Sequence, residues 1–137
     1  MTTALNDLKD EFDFLDSWEE RYAHIIAMGK SLPPLPETYQ TEAYRVKGCM
    51  SQVWLVVKPG ADNRPAIQAD SDAFIVRGLI AIALRLVDNL SAQEIAAYDF
   101  QSAFQALDLT QHLSSQRNNG LVALTERLKA EAQALAA

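Results

Sequence analysis

The chemistry open to this chain rests on very few side chains, and the first is Cys49, the only cysteine in 137 residues. It follows Lys47 and Gly48 and stands just before the apolar run 53–57. A cysteine acts as a nucleophile only as the thiolate and only where another molecule can reach it. Glycine before it permits close approach, and a neighbouring lysine favours a negative sulfur. The plainer alternative is that a lone cysteine serves as a small buried hydrophobe. Arg117 is the second candidate. It falls in the first turn of the last expected helix, where the macrodipole and free N–H groups attract anions and disfavour a cation. Either it makes an ordinary surface ion pair or carbonyl bond, or the helix end and the guanidinium jointly hold an anion. Asp72 is the third, and reads most simply as a first-turn carboxylate stabilised by the helix dipole, with Asp70 or Ser71 as the cap. His24, on an amphipathic helix, and His112, in a loop, read as structural hydrogen-bonding residues.

One cysteine with two scattered histidines supplies no zinc ligand set. There is no Walker A loop, no G-x-G-x-x-G after a strand, no H-E-x-x-H and no G-x-S-x-G, so phosphate-loop, dinucleotide, zincin and hydrolase readings lack their residues. No cofactor bound by this chain is expected. The balance of 12 basic against 18 acidic residues gives a net charge of −6, the wrong sign for tracking a phosphate backbone, so nucleic acid is not an expected partner. Gly78 to Val87 is the longest apolar stretch and Arg85 breaks it, too short and too interrupted to span a bilayer. A single cysteine and no charged, apolar leader place the protein in a reducing cytoplasm.

The elements that must position these residues follow from pattern. With 49% hydrophobic residues, the chain has material for one core, and residues 1–137 read as one domain. Leu5, Leu8, Phe12 and Leu15 fall at helical spacing, and Asp16 with Glu19 forms an acidic capping box for a second helix carrying Trp18, Tyr22, Ile25 and Ile26. Gly29 predicts the end of that helix near Met28. Ser31 to Glu37, with three prolines, is a stiff connector within the domain. The segment 53–57 reads as a strand covered on both faces, and the turn residues 58–64 lead into a weakly alternating strand at 66–69, a hairpin or small meander. From Phe74 to Val87 apolar residues surround the helix almost completely, which makes it the central one. Ser91 with Glu94, then Asp99 and then Ser114, mark three more helix starts, the last opening a long helix lined by Leu121, Leu124, Leu128 and Leu135. Helix, strands, then helices give an α+β class, a small antiparallel sheet packed against several helices.

Four blocks carry a resemblance to a known family: SWEERYAHIIAMGKSLPPLPETY (17–39), YRVKGCMSQVWL (44–55), ADSDAFIVRGLIAIAL (69–84) and LTQHLSSQRNNGL (109–121). In this order they closely resemble the SufE/CsdE family of cysteine-desulfuration proteins and cover most of the chain. The resemblance implies the family fold, akin to iron–sulfur scaffold proteins. It implies that Cys49 accepts sulfur as a persulfide from a cysteine desulfurase of the SufS or CsdA type, whose own pyridoxal phosphate does the carbon–sulfur chemistry. The sulfur then passes towards an iron–sulfur scaffold, in the manner of a sulfurtransferase accessory protein rather than a stand-alone enzyme. Asp72 and Arg117 are implied to support the site. The family commonly has glutamine after the cysteine, where this chain has Met50. Two rival readings stay beside this one: a non-covalent activator of the desulfurase, and a thiol-based redox sensor.

Overall fold

The computed structural model describes residues 4–49 and 51–136. Two helices open the chain, α1 (Ala4–Asp13) and α2 (Trp18–Ser31). A hairpin of β1 (Val53–Lys58) and β2 (Ala66–Ser71) follows, then α3 (Phe74–Leu86), three short helices α4 (Ala92–Ala96), α5 (Phe100–Ala106) and α6 (Leu109–His112), and the long α7 (Ser115–Ala136). The class is α+β, as the order of elements implied.

Several of the expected start signals act as read. Ser91 and Glu94 make a reciprocal capping box on α4, the Asp99 carboxylate accepts the Ser102 N–H on α5, and Ser114 Oγ accepts the Arg117 N–H at 3.1 Å on α7. Each satisfies a donor that the helix itself cannot. The α2 box is displaced by one residue from the expected Asp16 and Glu19. The chain turns at Ser17, whose Oγ accepts the Glu20 N–H at 3.2 Å, while Glu20 returns a carboxylate to the Asp16 N–H at 2.9 Å.

Gly29 does not end α2. The helix runs on to Ser31, and Gly29 is buried against α3. A Cβ on Gly29 would stand 2.6 Å from the Gly78 nitrogen, and one on Gly78 only 2.1 Å from the Ile25 carbonyl oxygen. The two glycines let backbone meet backbone, which no larger residue allows. At the end of α2 Gly29 O accepts from Leu32 N at 3.2 Å and from Arg77 of α3, which also donates to the carbonyl of the cap residue Leu32.

The hairpin is antiparallel, in register from Val53 opposite Ser71 to Lys58 opposite Ala66. Its second strand is longer than expected and takes in Asp70 and Ser71, so neither is the cap of α3. Ala73 occupies that position with no side-chain cap. Asp70 is only 5% exposed and its carboxylate accepts from Leu35 N and from Arg77. A tertiary ion pair has claimed the oxygen that a cap would need. Both faces of β1 are covered, as its continuous apolar run implied. Val53 and Leu55 join the main core with Ile80, Ile82 and Leu128. Trp54 and Val56 meet Leu35 of the proline-rich connector, with Tyr39 and Tyr44 beside them. The connector is thus the cover of the outer face. Among the described residues no helix is long and apolar enough to cross a membrane.

Candidate functional site

Cys49 sits at the tip of the loop between Tyr44 and β1, and contacts upstream, downstream and at the tip hold that loop. Upstream, Val46 N donates to Val53 O at 2.8 Å, and Arg45 bridges to Trp54 as a rudiment of a third strand. Downstream, Gln52 N donates to an Asp72 carboxylate oxygen at 3.1 Å, and Asp72 N returns a bond to Gln52 O at 3.2 Å. At the tip, Gly48 takes φ +92°, a left-handed conformation open to glycine, and turns the chain so that Cys49 Sγ donates to the Gly120 carbonyl on α7 at 3.4 Å.

The sulfur is half-buried over a cleft of about 250 Å³. Its floor is apolar, from Val53, Val76, Leu79, Ile80, Leu121 and Leu124, and its rim is polar, from Ser51, Ser114, Gln116 and Arg117. Burial pushes the Cys49 thiol above its ordinary pKa, and the positive charge of Arg45 acts against that rise. The resting loop therefore holds a protonated thiol, weakly hydrogen-bonded and turned inward, rather than an activated thiolate.

Cys49 and Arg117 come together at this cleft. Among the described residues no carboxylate pairs with the Arg117 guanidinium, which sits in the first turn of a 22-residue helix. Asp72 is not in the cleft wall. It lies two residues before α3, and its carboxylate fastens the downstream end of the loop rather than interacting as a first-turn anion of the helix. Lys47 does not serve the sulfur as expected: it is exposed, and although both it and Arg45 pair with Glu42, only the charge of Arg45 acts on the sulfur. Arg45 takes that electrostatic part. Met50 lies outside the described residues. His24 and His112 make structural contacts: His24 Nε2 is 3.0 Å from the Glu11 carboxylate, and His112 stacks on Trp18 with its Nδ1 2.9 Å from Asp108 O. Among the described residues no group of three or more His, Cys, Asp or Glu could hold a metal ion.

Sequence reasoning missed Gly120, Arg45 and Arg127. Gly120 lies within the fourth block, but nothing linear says that its carbonyl faces Cys49, 71 residues away. Arg127 donates to the carbonyls of Ala43 and Arg45, a contact no local pattern announces.

Known proteins place the chain in a family and a fold. An uncharacterized SufE-like protein of Rhizobium meliloti (strain 1021) is 44% identical over 134 residues, covering 96% of each chain. A second, from Rhizobium etli, is 45% identical over 137 residues, covering 98% of this chain and 93% of its own. A solution structure of a hypothetical protein from Thermus thermophilus shares the fold with a TM-score of 0.79 at 17% identity, over 99% of this chain and 98% of the other. The SufE family, an Fe–S metabolism associated domain, matches residues 6–132. That match runs through every element that seats the cysteine loop, from α1 to α7, and on it the chain belongs to the SufE family, associated with Fe–S metabolism.

Proposed function

We propose that this protein accepts sulfur on Cys49 from a cysteine desulfurase of the SufS or CsdA type and relays it, in a reducing cytoplasm, to an iron–sulfur scaffold. The observation that carries the reading is the seat of Cys49: a lone cysteine on a clamped loop, its sulfur turned into an apolar cleft whose rim holds Arg117. A persulfide needs shelter from solvent thiols, and an apolar cleft supplies it. A lone cysteine suits a carrier, since no second thiol in the chain can discharge the cargo as an internal disulfide.

The transfer is a thiol exchange. The Cys49 thiolate attacks the outer sulfur of the donor's persulfide; a sulfur–sulfur bond forms at Cys49, the donor's breaks, and the donor cysteine leaves as a thiolate. No external oxidant is needed. The resting loop disfavours this step, because burial keeps the thiol protonated. Docking turns the sulfur out of the cleft, which removes the desolvation while the charge of Arg45 remains to favour the thiolate. Arg117 and the α7 N-terminus then offer donors to the anionic persulfide, and Asp72 keeps the downstream hinge in register. The desulfurase brings the pyridoxal phosphate and this chain brings no cofactor of its own.

Intact-mass spectrometry after incubation with an active desulfurase and cysteine tests the proposal. The parent should gain one sulfur that reductant removes, and Cys49→Ala should gain none. A desulfurase stimulated equally by the parent and by Cys49→Ala, with no adduct on either, would sink the carrier reading in favour of a non-covalent activator.

A further inference from the structure

The cysteine loop runs along one stripe of α7, antiparallel to it. Cys49 lies against Gly120, where a Cβ would stand 3.4 Å from the sulfur. The position a Cβ would take on Gly48 is 3.3 Å from Ala123. One turn further on, Arg127 reaches back to the stem of the loop, donating to the carbonyls of Ala43, at 3.0 Å, and Arg45. Gly120, Ala123 and Arg127 fall at i, i+3 and i+7, one face of a helix. The small residues let the loop lie flat, and the arginine is the only member of the stripe with donors to hold it. Its planar fork suits two carbonyls at once, and Glu131, one turn on at 3.4 Å, holds the guanidinium from behind.

We propose that Arg127 is a positioning residue for Cys49: it fastens the stem of the loop to α7 and so sets how often the sulfur leaves the cleft. Removing its side chain frees two backbone carbonyls at the loop's root while leaving Cys49, Arg117 and the cleft floor in place. Opening then becomes easier, and the cysteine more reactive, without any change in the reacting groups. The inference rests on the reading of Cys49 as the reacting group. Its test needs no desulfurase, so it stands or falls separately from sulfur acceptance.

The experiment measures the rate of Cys49 alkylation by iodoacetamide in the free protein, for the parent, Arg127→Met, Arg127→Gln, Arg127→Lys and Ile95→Val. Methionine and glutamine are good helix formers, so two independent variants keep α7 intact while removing the fork. Ile95 is buried on α4, which packs on α7, so its truncation loosens the surroundings of that helix without removing the fork. Arg127→Met and Arg127→Gln should alkylate roughly five- to a hundredfold faster, the population shift expected from losing two hydrogen bonds of ordinary net worth. Arg127→Lys, which keeps one charged donor, should return the rate most of the way to the parent's, and Ile95→Val should match the parent. Parent-like rates in both Arg127→Met and Arg127→Gln would overturn the proposal. So would an equal acceleration in Ile95→Val, which would make the effect one of general loosening.

Discussion

Cys49 is held back in this structure rather than armed. Its proton is bonded to Gly120 O, its environment disfavours charge, and the lysine beside it in sequence is occupied by Glu42. On the proposed reading, restraint suits a carrier that stays silent until its donor arrives. Asp72 contributes to that restraint through one oxygen, and the bond can be separated from the charge. Asp72→Ala leaves the Gln52 N–H without its partner and should cost about 1 kcal/mol in urea unfolding. Asp72→Asn, whose amide oxygen can still accept, should cost much less. Equal losses in the two variants would show that the carboxylate acts through its charge instead.

At the scale of elements, the contact between α2 and α3 fixes the platform under the cleft, because α3 supplies Val76, Leu79 and Ile80 to its floor. The crossing depends on Gly29 and Gly78. In an ordinary helix interior, alanine in place of glycine stabilises by roughly 0.5–1 kcal/mol. At Gly78 the sign reverses, since the added Cβ would stand 2.1 Å from the Ile25 carbonyl oxygen and 2.5 Å from its Cγ2. Overpacking against backbone has no flexible side chain to yield, so Gly78→Ala should destabilise by about 3 kcal/mol. Urea unfolding decides it, and a variant as stable as the parent would mean that the two helices slide apart at little cost.

For the whole molecule, one ion pair, between buried Asp70 and partly buried Arg77, joins three regions. Arg77 of α3 holds the end of α2 through Gly29 O and Leu32 O, and pairs with Asp70 of β2, which in turn accepts from Leu35 N in the connector. The connector covers Trp54 and Val56, so this pair ties the sheet's outer cover to the helical layer. Arg77→Met strands a buried carboxylate and should cost about 3–5 kcal/mol. Asp70→Asn combined with Arg77→Met should recover a large part of it, because the stranded charge is gone and an amide oxygen remains for Leu35 N. A double variant no more stable than Arg77→Met alone would place the cost in the lost helix-end bonds instead.

Local chemistry determined much of this protein. Ser91, Asp99 and Ser114 cap helices because a side-chain oxygen next to a free N–H needs nothing distant. The apolar run in β1 had to be covered on both faces, and the encirclement of α3 by apolar residues made it the central helix. Cys49 and Arg117 could be named as candidates from residue type, position and family resemblance. What the chain could not disclose locally is where long-range partners compete for the same groups. Asp70 looked like a cap until Arg77 claimed its carboxylate, Gly29 looked like a helix end until Gly78 required it inside the helix, and Lys47 stood nearest the cysteine in sequence while Arg45 acts on its sulfur. Such choices depend on which backbone lies within a few ångströms of which side chain. The packing of α7 along the cysteine loop, of α2 across α3 and of α3 on β2 decided them.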